Sequence, residues 1–129
     1  MDLKTHKRAF ARLLGKPVIV EDDREAEVEL EACEEMAVDE KGLIHGGFTF
    51  GLADYAAMLA VNHPHVVLGS SESRFLAPVR IGDVMRAVAK VEGREGGRRK
   101  VEVGVKVEGR RVYEGVFTCH ILDRHVLDR

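Results

Sequence analysis

The sequence predicts an α+β fold in which an antiparallel sheet of about five strands wraps around one long helix. The helix is predicted over residues 46–62, a segment of helical length that is almost entirely apolar or small. Four later segments, separated by hairpin-length turns, have the pattern of strands, and consecutive hairpins produce an antiparallel sheet. The helix must lie across one face of that sheet, because its apolar surface has to be buried.

The first third of the chain supplies a short helix and the first strands. Residues 3–14 place apolar side chains mainly on one side, which predicts an N-terminal helix within residues 1–16. From Glu25, apolar and acidic residues alternate, as in a strand with one solvent-facing side, and we expect this strand to continue to about Val38. Residues 18–20 are a further candidate strand.

The strands after the helix are predicted over 66–77, 84–92, 100–107 and 111–122. The Gly69-Ser70-Ser71 segment interrupts the first of these strands and predicts a β-bulge, because a glycine inside a strand often marks one. Glycine-rich segments at 93–97 and 108–110 are the predicted turns. This order is that of a hot-dog fold, and residues 1–129 are predicted to form one domain of sufficient size for its own core.

Composition narrows the classes of function. The net charge of −2 gives no general reason to expect nucleic acid as a partner. The N-terminal segment lacks the apolar run of a signal peptide, and the central helix is shorter than the ~20 apolar residues of a membrane span. Cys33 and Cys119 have no metal or redox spacing, which suits free thiols in a reducing cytoplasm. A single Asn, no Gln and abundant Lys, Arg and Glu are typical of thermophile proteins.

The central helix opens with an unusual pair, Gly46 and Gly47, preceded by His45. The first amides of a helix have no intrahelical acceptor and lie at the positive end of its dipole. Here no Ser, Thr or Asp caps them, so they are free to bind an oxygen that gains negative charge, such as a thioester carbonyl oxygen. The alternative is that the two glycines only permit close packing or a tight turn.

Asp54 is the one charged residue of the central helix, and no Lys, Arg or His lies one turn away. Apolar surroundings disfavour the charged carboxylate, which makes it a better proton acceptor near neutral pH. The alternative is a carboxylate that pairs with a distant Arg or across an interface. Eight residues of helix cover about 12 Å, so Asp54 cannot reach a group held by Gly47 of its own chain. The catalytic interpretation therefore requires a two-fold homodimer with two equal sites.

Two motifs resemble those of the hot-dog acyl-CoA thioesterases, specifically the phenylacetate-pathway (PaaI-like) type. Residues 42–54, GLIHGGFTFGLAD, place an Asp eight residues after the first Gly of HGG, and residues 73–83, SRFLAPVRIGD, carry the F-L-x-P-V-x-x-G-D turn. The resemblance implies a cytoplasmic hydrolase that acts on acyl-CoA as a dimer or tetramer and needs neither metal nor separate cofactor. Two positions depart from the pattern: Asp39 stands where the family often has Asn, and Met58 stands where some members carry a hydroxyl.

The proposed chemistry is hydrolysis of an acyl-CoA thioester to a free acid and coenzyme A. The amide of Gly46 or Gly47 would polarise the carbonyl. Asp54 of the second subunit would activate water as a general base, or attack directly and form a mixed anhydride. His45 would position the substrate or the loop, although a role in capping or packing fits it equally well.

Binding of coenzyme A requires further groups, and each candidate could also be an ordinary surface residue without a role in binding. Ser71 and Ser73 are candidates for contact with the pantetheine or the acyl end. Arginines are suited to phosphates, although each is also an ordinary solvated charge, and the candidates are Arg74, Arg80, Arg110 and Arg111. His63 and His65 flank Pro64, but no third ligand with suitable spacing follows, so no metal site is predicted.

Three other functions stay open. A non-catalytic acyl-CoA sensor is one, because the fatty-acid-synthesis repressors use a hot-dog domain with a similar F-L-x-P-V turn; a sensor has no need of a buried base such as Asp54. A hot-dog hydratase or dehydratase would pair a His with an acid, but His45 and Asp54 are nine residues apart. An interaction protein would not explain the uncapped helix start. The acyl group is not determined, since aryl, short and medium chains all fit.

Overall fold

The computed structural model describes residues 1–128 and has one six-stranded antiparallel sheet with a long helix against one face. The strands are β1 Lys16–Glu21, β2 Glu25–Glu31, β3 Val66–Phe75, β4 Val84–Glu95, β5 Arg98–Val107 and β6 Arg110–Ile121. The helices are α1 Ala11–Leu14 and α2 Gly46–Val61, with 3-10 turns at Glu34–Met36 and Val126–Asp128. The strand order is β1-β2-β4-β5-β6-β3, which is the predicted hot-dog arrangement with six strands instead of about five.

The sixth strand is β1, which pairs with β2 and forms one edge of the sheet. The predicted helix over 3–14 was too long, because His6 has a left-handed backbone (φ 53°) and only Ala11–Leu14 is helical. The strand predicted to reach Val38 also ends earlier, at Glu31. The chain leaves the sheet there because Glu34–Met36 form a 3-10 turn, after which Ala37 bridges to Ile44 and the Val38 amide donates to the Leu43 carbonyl (2.8 Å).

Two predicted strand ends shifted for local reasons. Gly93 lies inside β4, paired with Lys100 next to a bulge at Glu92, and is not part of the turn, so β4 and β5 run on to a tight turn at residues 96–97. Strand β3 stops at Phe75, since the amides of Leu76 and Ala77 both donate to the Val112 carbonyl (2.8 and 3.3 Å). The predicted bulge at Gly69 is confirmed by the register shift between Leu68 and Ser70.

Helix α2 lies in the centre of the core and contacts all six strands. It is apolar on nearly every side, and ten of its sixteen residues are buried. The inner face of β5 packs against it with valines at every second position. Burial of a side chain such as Leu52, Met58 or Leu59 contributes about 1.5–3 kcal/mol, so this helix is anchored along most of its length.

The C-terminal end of α2 is closed by Asn62, the one asparagine of the chain. Its backbone is left-handed (φ 49°), a conformation that Asn tolerates at a helix end, and its amide donates to the Met58 carbonyl (2.8 Å). Its side chain donates to the Asp22 carboxylate (2.8 Å) and the Asp2 carbonyl (2.9 Å), and accepts the Lys4 amide (2.8 Å). The N-terminal segment is thereby tied to the end of the helix.

Strand β3 is the second edge of the sheet and pairs only with β6. Two apolar side chains are exposed where this strand ends: Phe75, its last residue (57% exposed), and Leu76, which follows it (46% exposed). Cys33 and Cys119 are both free thiols, as predicted, the first half-buried and the second buried. Within residues 1–128, no helix has the length and hydropathy required to cross a membrane.

Candidate active site

The start of α2 leaves two backbone amides without acceptors. His45 is the N-cap residue with an extended backbone (φ −63°, ψ 130°), and its side chain makes no capping hydrogen bond. Its own amide donates to the Met36 carbonyl (3.0 Å), and its carbonyl accepts the Phe48 amide (3.1 Å). Within residues 1–128 the amides of Gly46 and Gly47 donate to no protein group. The positive end of a sixteen-residue helix is therefore open to an anionic oxygen.

The loop that leads into α2 is held both by the segment that precedes β4 and by its own Asp39. The Ile44 amide donates to the Val79 carbonyl (2.9 Å), and Leu43 forms a bridge with Arg80. Asp39, the departure from the family's Asn, accepts the amides of Lys41 (3.0 Å) and Leu43 (3.1 Å) with one carboxylate oxygen. In this chain the residue at position 39 therefore organises its own loop.

Both glycines of the helix start are in close contact with an aromatic or imidazole ring. A Cβ at Gly46 would lie 3.3 Å from the Phe75 ring, and one at Gly47 would lie 2.9 Å from the His45 imidazole. A cleft of about 350 Å³ opens beside Gly46 and has a mostly apolar lining: Ile44, Thr49, Phe75, Leu76, Ala77, Pro78, Val79 and Val112. The helix start therefore lies beside a mostly apolar cleft.

Asp54 lies two turns further along α2 and is partly buried. Its Oδ1 atom is buried and has no hydrogen-bond partner, and its carboxylate forms no ion pair with any residue of 1–128. Burial raises the pKa of Asp54 from 3.8 to about 6. At neutral pH the group is thus mostly ionised but poorly solvated, as a general base or nucleophile should be.

Replacement of Asp54 by asparagine should stabilise the protein near neutral pH. Its pKa in the folded protein, about 6, lies above the ordinary 3.8, so between these values the folded state binds more protons and stability falls as pH rises. The difference between the two pKa values corresponds to a destabilisation of the folded state by ~3 kcal/mol at neutral pH. Because Asp54 is partly exposed to solvent, we expect about 1–2 kcal/mol. Urea denaturation should show this gain at about pH 7 and none below about pH 3.5.

The control for this comparison is Glu40→Gln, which neutralises an exposed carboxylate in a loop. We expect its unfolding free energy to follow that of the wild type at both pH values. A loss of stability in Asp54→Asn near neutral pH would show that the carboxylate is paired and not isolated.

Two hydroxyl groups of β3 lie on the face of the sheet that carries the helix. Ser71, which is exposed, and Ser73, which is half-buried, are in register with Phe117 and Gly115 of β6, and the Phe117 ring stacks on Phe50 of the helix. The Ser73 hydroxyl lies 2.6 Å from the Tyr113 hydroxyl and 3.4 Å from that of Ser71. Tyr113 was not among the predicted site residues. The alternation of β6 was the available signal, since it places Tyr113 on the same side as Phe117.

The four candidate arginines are not brought together. Arg74 lies in register with Glu114 and points to the outer face of the sheet. Arg111 lies on the same outer face, within 3.4 Å of the Glu114 carboxylate and close over Gly104. Both are thus across the sheet from Asp54, for a physical reason: alternate residues of a strand point to opposite faces.

Of the turn arginines, one lies near the helix start. Arg80 is exposed, its amide donates to the Asp83 carboxylate (2.9 Å), and it bridges to Leu43, two residues before His45. Arg110 is exposed at the beginning of β6. His63 and His65 lie beyond the opposite end of α2, with their rings 5.5 Å apart.

Comparison with known proteins assigns the family. Residues 41–114 match the sequence model described as "Thioesterase superfamily". The chain belongs to the thioesterase superfamily. The fold agrees, because an uncharacterized protein, PH1136 from Pyrococcus horikoshii, is 55% identical with a TM-score of 0.97 over 99% of this chain and 98% of that one.

The curated relatives of this thioesterase-superfamily chain have mixed names. A methylthioribose-1-phosphate isomerase of Aquifex aeolicus is 46% identical over 95% of the chain, which spans only 27% of that protein. The transcription factor FapR of Caldanaerobacter subterraneus is 24% identical over 92% of the chain, which spans 60% of that protein. Among solved structures, a variant of the phenylacetic acid degradation protein PaaI from Thermus thermophilus is 30% identical with a TM-score of 0.79, over 88% of this chain and 98% of that one.

Proposed function

We propose that this chain hydrolyses an acyl-CoA thioester to a free acid and coenzyme A, as an enzyme of PaaI-like type. The observation that carries the proposal is the buried, unpartnered oxygen of Asp54 on the helix whose first amides are free. An unpaired carboxylate in a protein interior costs stability, so its retention favours a chemical role. Membership of the thioesterase superfamily supports the reaction class.

The proposed chemistry uses the first amides of α2 and the Asp54 carboxylate two turns further along the helix. The amide of Gly46 or Gly47 donates to the thioester carbonyl oxygen and stabilises the oxyanion of the tetrahedral intermediate. Asp54 takes a proton from water as the water oxygen attacks the carbonyl carbon. The C–S bond then breaks, and the proton on Asp54 passes to the departing thiolate of coenzyme A. In the other route, Asp54 attacks the carbon itself, coenzyme A departs, and water hydrolyses the mixed anhydride.

Both routes require two protomers. Gly46 and Asp54 are eight residues apart on one straight helix, about 12 Å along its axis, so one protomer cannot supply both groups to one carbonyl. The free edge of β3 and the exposed Phe75 and Leu76 beside Gly46 support a homodimer on this side, because an open apolar edge favours pairing with a second copy. Pairing of dimers would give a tetramer.

Coenzyme A would be bound near the helix start. Arg80 is the candidate cation whose backbone bridges to the loop before His45, and we assign it the first phosphate contact. Ser71 and Ser73 line the β3 side and would contact the pantetheine or the acyl end. The remaining candidates, Arg74, Arg110 and Arg111, would contribute only through a second subunit.

A non-catalytic acyl-CoA sensor is the second candidate function, favoured by the similarity to FapR. The same pocket would then bind acyl-CoA without turnover. The isolated Asp54 carboxylate argues against a sensor. Burial disfavours its charged form and so lowers the stability of the protein, and a site that only binds acyl-CoA has no use for such a base.

The test is a panel of short, medium and aryl acyl-CoAs incubated with the protein and a thiol-reactive chromophore. The proposal expects release of free coenzyme A from at least one class. Tight binding without thiol release would indicate the sensor, and hydration of an enoyl-CoA without thiol release would indicate a hydratase. A protein that sediments as a monomer while fully active would contradict the shared site.

A further inference from the structure

Helix α2 offers Asp54 no hydroxyl neighbour of its own. The residues one turn away on the same face are Phe50, Gly51, Ala57 and Met58, and none of their side chains donates a hydrogen bond to a carboxylate. The polar groups on this side come from the sheet, where Ser73 and Tyr113 form a hydroxyl pair with oxygens 2.6 Å apart. Tyr113 is fully buried. Its hydroxyl lies over Gly115 beside the Phe117 ring, and that ring stacks on Phe50, one turn before Asp54, with centroids 5.6 Å apart.

The position of the Tyr113 hydroxyl is fixed by its surroundings. The phenol lies along β6 over Gly115, where a Cβ would be 2.5 Å from the hydroxyl oxygen. Gly115 is the register partner of Ser73, so the hydroxyl is directed to the β3 side. Phe75 packs edge-on against the phenol ring, with centroids 5.2 Å apart. Any larger residue at 115 would displace this hydroxyl.

The Ser73–Tyr113 bond can supply a donor to the acceptor on Asp54. When Ser73 donates its proton to the Tyr113 oxygen, the Tyr113 O–H is left to donate to another group. Asp54 Oδ1 is a buried acceptor without a partner among residues 1–128. Buried polar groups of this kind are usually satisfied through a bridging water or ligand.

We propose that Tyr113, oriented by Ser73, is a positioning residue that holds the attacking water against Asp54. This inference rests on the proposed thioesterase function. The water accepts the Tyr113 O–H and donates one hydrogen to Asp54, which leaves a lone pair of its oxygen for the carbonyl carbon. During attack the proton moves from water to Asp54, and the phenol stays neutral because burial raises the pKa of Tyr113.

The test compares Tyr113→Phe with the wild type in steady-state hydrolysis of the best acyl-CoA. We expect kcat to fall about 10- to 30-fold, the effect of one lost hydrogen bond in the transition state, with KM within about twofold. Ser73→Ala should lower kcat less, since the phenol stays in place without its orienting partner. Tyr55→Phe is the control: this buried tyrosine packs near the His6 ring, and its variant should retain wild-type kcat.

A second measurement reports the contact without relying on turnover. Titration of the Asp54 carboxyl by carbon-13 NMR should give a higher pKa in Tyr113→Phe, because the carboxylate loses the water that solvates it. Tyr55→Phe should titrate like the wild type. Circular dichroism and thermal melts establish that the variants are folded.

The outcomes separate this inference from the function on which it rests. Unchanged kcat and an unchanged Asp54 titration in Tyr113→Phe would overturn it, even where Asp54→Asn is inactive. A raised KM with unchanged kcat would also overturn it and would indicate contact with the acyl group. No thiol release by the wild type from any acyl-CoA would remove the proposed function itself.

Discussion

Asp54→Asn is expected to lower kcat for thioester hydrolysis by about 10²–10⁴-fold, the usual contribution of a general base. Asparagine preserves the size of the side chain but neither accepts a proton at neutral pH nor attacks a carbonyl. Binding of acyl-CoA should change by less than about threefold, because the reaction and not ground-state binding uses this carboxylate. The measurement is coenzyme A release in steady state, together with binding of a non-hydrolysable acyl-CoA analogue by calorimetry.

The pH profile adds a second signature of the same group. The rate should rise with pH and level off above about 6, because Asp54 is active when ionised and burial raises its pKa to that value. Glu40→Gln, in an exposed loop, should leave both the rate and the profile unchanged. Full activity in Asp54→Asn would contradict the assignment of Asp54 as the base. A hydrolysis rate that does not change between about pH 4 and 8 would also contradict it.

Mixing two inactive variants is expected to restore activity. Gly47→Val places a branched side chain beside the helix-start amide and the His45 ring, and should lower kcat by about 10²–10³-fold. In a heterodimer of Gly47→Val with Asp54→Asn, one site carries both defects, and the other has an intact glycine from one chain and an intact Asp54 from the other. After random exchange of subunits, activity should recover to about a quarter of the wild-type value.

The control is a mixture of each variant with itself, which should stay inactive after the same exchange treatment. If the mixed sample also stays inactive although mass spectrometry shows heterodimers, each site draws both groups from one chain, and the spacing argument along α2 is wrong. Recovery above the level of either parent supports a site shared between protomers.

Local sequence pattern was sufficient wherever the structure depends on near neighbours. The long helix was predicted to end at position 62 and is helical over Gly46–Val61, with Asn62 as its cap. Its apolar composition, its opening glycines and the following His63-Pro64 step are all signals within a few residues. The bulge at Gly69 and the four strands after the helix were predicted on the same kind of evidence.

Predictions failed where distant contacts decide the outcome. The apolar pattern of residues 3–14 favours a helix, but the N-terminal segment is instead bound by Asn62, and its Lys4 also pairs with Asp22. The alternation after Glu25 continues past Glu31, yet residues 37 and 38 pair with residues 43 and 44 instead of with the sheet. Propensity is a weak signal in both segments, and tertiary contacts override it.

By itself the sequence determined the fold class, the uncapped glycine start of α2 and the isolated charge of Asp54, because each depends on periodicity or on neighbours within two helical turns. Only the tertiary structure decided that the Ser73 and Tyr113 hydroxyls meet and that the candidate arginines lie apart from one another. Ser73 and Tyr113 are forty residues apart and meet through the register of β3 with β6, while that same register turns Arg74 to the outer face. Strands β3 and β6 are neighbours in the sheet but are not joined by a hairpin, so no turn in the sequence sets their register.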